Sequence, residues 1–446
     1  MRKISKLSLV AAVAVAGFST ANAQPLEEAI KNVEVSGSVV YRYDNFNDSE
    51  GGFSDANKNN HDNYDHNKYK IGLNLSSKVN DYVKFNSRFI VAAENSEFAD
   101  LDAHKGNDAN PDVRLSQANF AFTGIQNTTV IAGKQALSSP WTVGIDMQGN
   151  ENDGTGILAL TTVGPVTAGA GYFNQTNLDK SGNINGTKYA SQSIDMSAHP
   201  KYKKNISLKN VAGISGTALT AGEELGSRDL YIATLQADLS PVKLEAWYLD
   251  IADTLDSYTL VASGDFKPSD DSKIGVEARY VSLTLDNPAN LDIEEDNSMY
   301  RLAVTGNLGI FNAKVSYTAT DKDGGLTAFD QDAQNATLGW NLSSNGIADA
   351  DYWQAVLGVN ILDNLNLSAN YGNLKADRPS SGLNGTKSAF TDLEVEEVFG
   401  QLTYKMSKNL STYLRYGTYE EKYKNNGDKE KFSDQNRGRL QVEYTF

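Results

Sequence analysis

Apolar and polar residues alternate through most of this chain. Between Tyr82 and Ala93, Val83, Phe85, Phe89 and Val91 share one face, while Lys84, Asn86 and Arg88 share the other. Ile71, Leu73 and Leu75 alternate with Gly72 and Asn74. Val242, Leu244, Ala246 and Tyr248 alternate with Lys243 and Glu245. Leu440, Val442, Tyr444 and Phe446 alternate with Gln441, Glu443 and Thr445. A sustained period of two describes a β-strand with one apolar face. A comparable 3.6-residue period is missing, and Pro25–Asn32 alone reads as a turn or two of helix before the first strand.

The alternation predicts 18 strands, over 33–44, 69–79, 82–93, 113–123, 128–137, 155–163, 166–175, 229–238, 242–250, 256–266, 272–283, 298–308, 310–320, 351–361, 365–374, 393–405, 410–420 and 435–446. Their connections take turns between two kinds. Short links such as Asn80-Asp81, Gly164-Pro165, Ser240-Pro241 and Asp363-Asn364 join strands 2–3, 6–7, 8–9 and 14–15. Long polar stretches such as 45–68, 94–112, 176–228 and 321–350 fill most of the remaining gaps. Short turns at one end and long loops at the other mark a transmembrane antiparallel β-barrel of the outer membrane, with short periplasmic turns and long extracellular loops. In lipid every backbone N–H and C=O needs a partner within the protein, so the sheet has no edge and strand 1 is expected to pair with strand 18. An even strand count then puts both termini on the periplasmic side.

Composition agrees with this. The chain is polar on average, which suits a barrel whose strands need only one apolar face. Many of the 22 tyrosines, among them Tyr41, Tyr82, Tyr280 and Tyr444, sit near predicted strand ends, where amphipathic rings form interfacial girdles. Arg2, Lys3 and Lys6, the apolar run Leu7–Phe18 and the small-x-small site Ala21-Asn22-Ala23 describe a signal peptide over 1–23, cleaved before Gln24. The mature 24–446 reads as one barrel domain, with 24–32 as a short N-terminal segment. The full chain carries −16, and loss of the three basic residues of 1–23 leaves −19. So acidic a chain is a poor partner for nucleic acid. It has no cysteine, hence no disulfide, thiolate metal site or cysteine nucleophile. His61, His66, His104 and His199 all fall in predicted loops outside HExxH or triad contexts, and no enzyme is expected.

The terminal strand Leu440, Val442, Tyr444, Phe446 ends on an aromatic, as does the signal read by outer-membrane assembly machinery. The start Pro-Leu-Glu-Glu-Ala-Ile-Lys-Asn-Val-Glu-Val-Ser-Gly (25–37), running into Tyr41-Arg42-Tyr43-Asp44, resembles the major outer-membrane porin family of Campylobacter and its epsilonproteobacterial relatives. Val130-Ile131-Ala132-Gly133-Lys134-Gln135, Trp141-Thr142, Gly154-Thr155-Gly156 and the ending Arg439 to Phe446 resemble it too. The stretch 176–350 matches by strand rhythm only. The resemblance implies an 18-stranded, trimeric porin in outer-membrane lipid and lipopolysaccharide. It would pass small hydrophilic solutes with a preference for cations, and a calcium ion is associated with the pore.

A porin works through pore width and the charges that line it. In many porins one long loop folds into the lumen, and 138–154 is the candidate here. It carries Asp146, Glu151 and Asp153 and no Lys or Arg, so it would attract cations. Asp146 lies near the family's pore-lining aspartate, and with Glu151 or Asp153 it is the candidate calcium site. Acids at Asp321–Asp323 and in 292–296 read as surface-loop charge. On the opposite wall, Arg42, Lys84, Arg88, Lys134, Arg279, Arg301, Arg415 and Arg439 hold the polar parity of their strands, with Arg114 less clearly phased. Competing functions are a substrate-specific channel and a surface adhesin on a barrel scaffold. A soluble secreted β-protein is separated from all barrels by heat-modifiable gel mobility.

Overall fold

The computed structural model describes residues 33–50, 62–93, 96–101, 112–178, 194–195, 205–206, 225–286, 295–322, 324–377, 390–425 and 428–446. The expected signal peptide, the 24–32 segment, His61, His104, His199, Asp323 and residues 292–294 lie outside this set.

Eighteen long strands form one antiparallel sheet closed on itself. They are β1 Val33–Asp48, β2 Asp62–Lys78, β3 Val83–Ala92, β4 Asp112–Phe122, β5 Thr128–Ala136, β6 Asp153–Val163, β7 Val166–Thr176, β8 Leu230–Leu239 and β9 Val242–Ile251. The second half is β10 Leu255–Ser269, β11 Ser272–Leu285, β12 Asp296–Leu308, β13 Phe311–Thr320, β14 Ala350–Leu362, β15 Leu365–Ala376, β16 Phe390–Lys405, β17 Leu410–Asn425 and β18 Asp428–Thr445. Each strand pairs with its sequence neighbours, and β1 pairs with β18 from Ser38↔Thr445 to Asp48↔Gln435. At the seam, the Gly37 N–H donates to the Phe446 carbonyl (2.9 Å) and the Phe446 N–H to the Gly37 carbonyl (3.1 Å). The closure expected from backbone satisfaction is therefore present.

The alternation separates two faces. In β1, Val40, Arg42, Asp44, Phe46 and Asp48 are buried toward the lumen, while Val39 and Tyr41 are exposed on the outer face. Leu414, Tyr416, Leu440 and Tyr444 face outward on β17 and β18, as do Tyr300, Leu302 and Val304 on β12. This outward surface is apolar because lipid, rather than protein, covers it. Near the long-loop end its aromatic rings touch from strand to strand: Tyr172 with Tyr231, Tyr258 with Tyr280, Tyr300 with Tyr317, and Tyr317 with Trp353. A run of tyrosines at one height on the outer face is a girdle.

Several strands run past their predicted ends, mostly on the long-loop side, while β8, β10 and β14 also extend at the short-turn side, to Leu239, Ser269 and Leu362. The largest difference is at β17–β18. Within 421–434, expected as a loop, residues 421–425 and 428–434 continue the two strands to the pair Asn425↔Asp428. Charges there sit on both faces, so no apolar alternation marks the strands. Ion pairs across strands support them instead: Lys431 with Glu420 at 2.6 Å and Lys429 with Glu394 at 2.7 Å. The expectation of a single inward loop is also corrected. Two connections fold into the barrel, 137–152 and the segment around 324–349, and most residues of the second are buried.

Candidate functional site

The loop between β5 and β6 crosses the lumen. At one end Glu151 is buried against β2, β3 and β4. Its carboxylate accepts two bonds from Arg88 (2.8 and 2.9 Å), one from Ser116 Oγ (3.0 Å), and pairs with Lys70 at 2.7 Å. Gly72 makes room for this contact, since a Cβ there would lie 2.6 Å from Arg88 Nη2. Arg42 on β1 donates to the Met147 carbonyl (2.9 Å), and its guanidinium lies 3.9 Å from the Phe98 ring centre. At the other end, Trp141 is fully buried and donates its indole N–H to Ser257 Oγ on β10 at 2.8 Å. β10 stands nine strands from β1 in a ring of 18, so the loop spans opposite walls.

None of the three expected loop carboxylates presents a bare charge to the lumen. Asp146 folds back on its own turn, accepting from the Gln148 and Asn150 backbone N–H groups (2.8 and 2.9 Å) and from Asn150 Nδ2 (2.8 Å). Burial, first among opposing effects, lifts its carboxyl to about 6. Asp153 opens β6, shares the one Ser116 hydroxyl hydrogen with Glu151 (3.1 Å from Oγ) and lies 3.5 Å from Lys134 Nζ. The donor set at Asp146 does not fit a calcium ion, because N–H groups point at both carboxylate oxygens. Among the described residues no three His, Cys, Asp or Glu side chains gather at metal-ligand spacing.

The second inward segment lines the wall from β10 to β16. Asn335 donates to Thr259 Oγ1 (2.8 Å) and accepts from Arg279 Nη1 (3.1 Å). Arg301 donates to the Ala336 carbonyl (2.8 Å), and Gln354 to that of Leu338 (2.8 Å). Glu397 on β16 accepts the Trp340 and Asn341 N–H groups at 2.5 and 2.7 Å. Gly339 permits this approach, since a Cβ there would collide with the Glu397 carboxylate. Trp340 packs edge-on between Phe46 of β1 and Phe399 of β16, at 5.9 and 5.7 Å between ring centres.

The two loops clasp each other in the middle. The Phe329 N–H donates to the Trp141 carbonyl and the Asn335 N–H to the Pro140 carbonyl, both at 2.8 Å. One oxygen of Asp330 accepts from the Val143 N–H (2.9 Å) and from Asn152 Nδ2 (2.8 Å). Burial pushes the Asp330 carboxyl up to about 8, against the opposing bond from Val143 and with help from Asp146 and Asp332. Burial and then Asp146 likewise raise Asp332 to about 7.

The expected basic residues divide by place. Arg42, Arg88 and Lys134 meet the first loop, while Arg279 and Arg301 meet the second. Arg415 and Arg439 gather around Trp340, at 5.1 and 5.8 Å from its ring centre. Lys84 sits instead near the short turns, paired with Glu34 at 3.2 Å. Arg114 bonds Asp112 on its own strand (3.0 Å). The sequence reading missed Lys70, Arg437, Glu397, Asp330, Asp332 and Trp340. Arg437 and Lys70 share the polar parity of their strands and were open to the same argument that found Arg439. The buried second loop also left a trace, because 333–348 contains no charged residue, which is unusual for a solvated loop.

Solved structures with this fold are outer-membrane channels. Pseudomonas aeruginosa OpdL matches with a TM-score of 0.65 at 14% identity, covering 93% of this chain and 99% of its own. P. aeruginosa OccK2 (OpdF), solved with glucuronate, gives 0.63 at 12% identity, covering 93% and 98%. Acinetobacter baumannii OccAB2 gives 0.62 at 14% identity, covering 93% and 98%. No curated protein matches. A family model described as Campylobacter major outer membrane protein matches residues 1–446. With that match over its whole length, the chain belongs to the Campylobacter major outer membrane protein family, the outer-membrane porins that its two ends resemble.

Proposed function

We propose that this porin is a passive channel for ions and small hydrophilic solutes, with cations preferred. The observation that carries the channel is a closed barrel with two loops folded into its lumen, one docked on β2–β4 and β10 and the other along β10–β16. It does no covalent chemistry. The proposed source of cation preference shifts from the 138–154 loop, whose carboxylates are all engaged, to the long-loop rim. There Asp250 faces Asp256 across β9–β10, and Asp256 and Asp296 both face Thr284 of β11. Asp286 just beyond β11 has its carboxyl raised by burial and then by Asp250 and Asp253, as expected where negative charges crowd. Asp250, Asp256 and Asp296 hold the outer-face parity of Tyr248, Tyr258 and Tyr300, so this rim would gather cations around the mouth and not inside the lumen. The proposal includes a homotrimer in outer-membrane lipid and lipopolysaccharide, insertion by the assembly machinery through the terminal Phe446 strand, and both termini periplasmic. Reversal potential in a planar bilayer under a KCl gradient tests the selectivity, and an anion-preferring sign would refute it.

A second reading, a channel with a solute-binding station in its lumen, is favoured by the structural neighbours solved with small acids. OccK2 carries glucuronate in its structure and OpdK carries vanillate. Saturable solute flux would distinguish this from free diffusion.

A further inference from the structure

Four arginines crowd one patch of the lumen wall on β1, β17 and β18. Arg415 and Arg439 are direct cross-strand partners. Across the seam, Arg42 faces Gln441, Asp44 faces Arg439, and Phe46 faces Arg437. Like charges directly opposite one another on a sheet repel, so this arrangement is unfavourable unless counter-charge is supplied.

The protein supplies only part of that charge. Asp44 pairs with Arg439 through two bonds, one of them at 3.0 Å. Glu397, the other nearby carboxylate, is occupied by the Trp340 and Asn341 N–H groups. Arg42 gives its hydrogens to Gln441 Oε1 (2.9 Å) and the Met147 carbonyl (2.9 Å), both uncharged acceptors. Arg415 gives Nε to Gln401 (2.7 Å), and among the described residues its Nη groups meet no acceptor. Arg437 is 7% exposed, and its Nε is buried without a hydrogen-bond partner. Its guanidinium lies 4.3 Å from the Phe46 ring centre and 5.0 Å from that of Trp340. The Trp340 indole N–H is itself buried without an acceptor. The aromatic faces steady the cations but accept no hydrogen bond of normal strength.

Two orphaned donors and an excess of guanidinium in one patch all lack the same thing, an anionic acceptor. A planar carboxylate matches the guanidinium fork in shape and charge. We propose that the Arg42–Arg415–Arg437–Arg439 patch is a binding station for small organic carboxylates passing through the lumen, with Arg415 and Arg437 as the residues that receive the carboxylate. The proposal rests on the channel reading and adds a ligand class to it. It is compatible with a cation-concentrating mouth, because the rim sets bulk ion preference while the patch acts on a bound solute.

The test is block of single-channel current by benzoate, with benzamide as a neutral probe of nearly the same shape. For the wild-type channel, benzoate is expected to block saturably and benzamide to leave the current unchanged. R415Q and R437Q are expected to raise the half-blocking benzoate concentration by about tenfold, the loss of one charge-assisted contact. K375Q, which removes a charge paired with Glu394 away from the patch, keeps wild-type block. Heat-modifiable mobility checks folding, and if R437Q does not fold, R415Q decides. Equal block by benzamide, no block by benzoate, or unchanged block in the folded variants overturns the station. Absence of any conductance would instead overturn the channel reading.

Discussion

Replacing Glu151 by Gln is expected to free one end of the first inward loop. The side chain keeps its size and loses its charge. Lys70 and Arg88 then remain cationic at 6% and 9% side-chain exposure, with no carboxylate between them. Breaking a buried ion pair by removing one partner costs roughly 3–5 kcal/mol. Other anchors of this loop are individually weaker: a neutral bond such as Trp141 to Ser257 contributes about 1 kcal/mol. The Glu151 end should therefore open while the Trp141 end holds, shifting the docked-to-open ratio of 146–152 by roughly two to four powers of ten. Single-channel recording should show larger conductance and strong flicker in E151Q. Replacing all three members with apolar residues, K70M/R88M/E151M, removes the unpaired charges and should restore a quiet channel, since well-packed apolar triads match buried ionic ones. Wild-type noise and conductance in E151Q, or noise persisting in the triple variant, would refute the reasoning.

Three further outcomes follow from the geometry. The carboxyls of Asp146, Asp332 and Asp330, raised to about 6, 7 and 8, favour the loop clasp when protonated. Their contribution is complete below about pH 4, the unfolded carboxyl range, and is lost as pH rises through 6 to 8, so gating noise should increase from pH 5 to 9. D330N, which keeps an acceptor for Val143 and Asn152, should flatten that profile; an unchanged slope would count against the clasp. G133A should lower the temperature of the heat-modifiable transition, because Gly133 holds φ +125° and a Cβ would lie 2.9 Å from the Asn119 Cα. Deleting Phe446 removes both seam bonds to Gly37 and should lower it as well, by about 2 kcal/mol of local stability.

Local sequence determined the barrel almost completely. A strand's two faces meet different surroundings, lipid and lumen, and that difference is written residue by residue as period two. The short turns mark one end of the strands, and backbone satisfaction in lipid forces the seam between β1 and β18. The same parity argument put Arg42, Arg88, Arg279, Arg301, Arg415 and Arg439 on the inner wall. It weakens where both faces are wet, which is why the charged strand ends 421–425 and 428–434 read as a loop. The sequence could also show that 138–154 is acidic, but not what those acids touch. Glu151 meets Lys70 and Arg88, 81 and 63 positions away along the chain, only because β2 and β3 stand beside the docked loop. Asp330 meets Val143 and Asn152 only because two loops enter one lumen from opposite walls. The charges were therefore legible in the sequence, while their pairing was decided by closure of the barrel, which brings strands and loops distant along the chain within hydrogen-bonding reach.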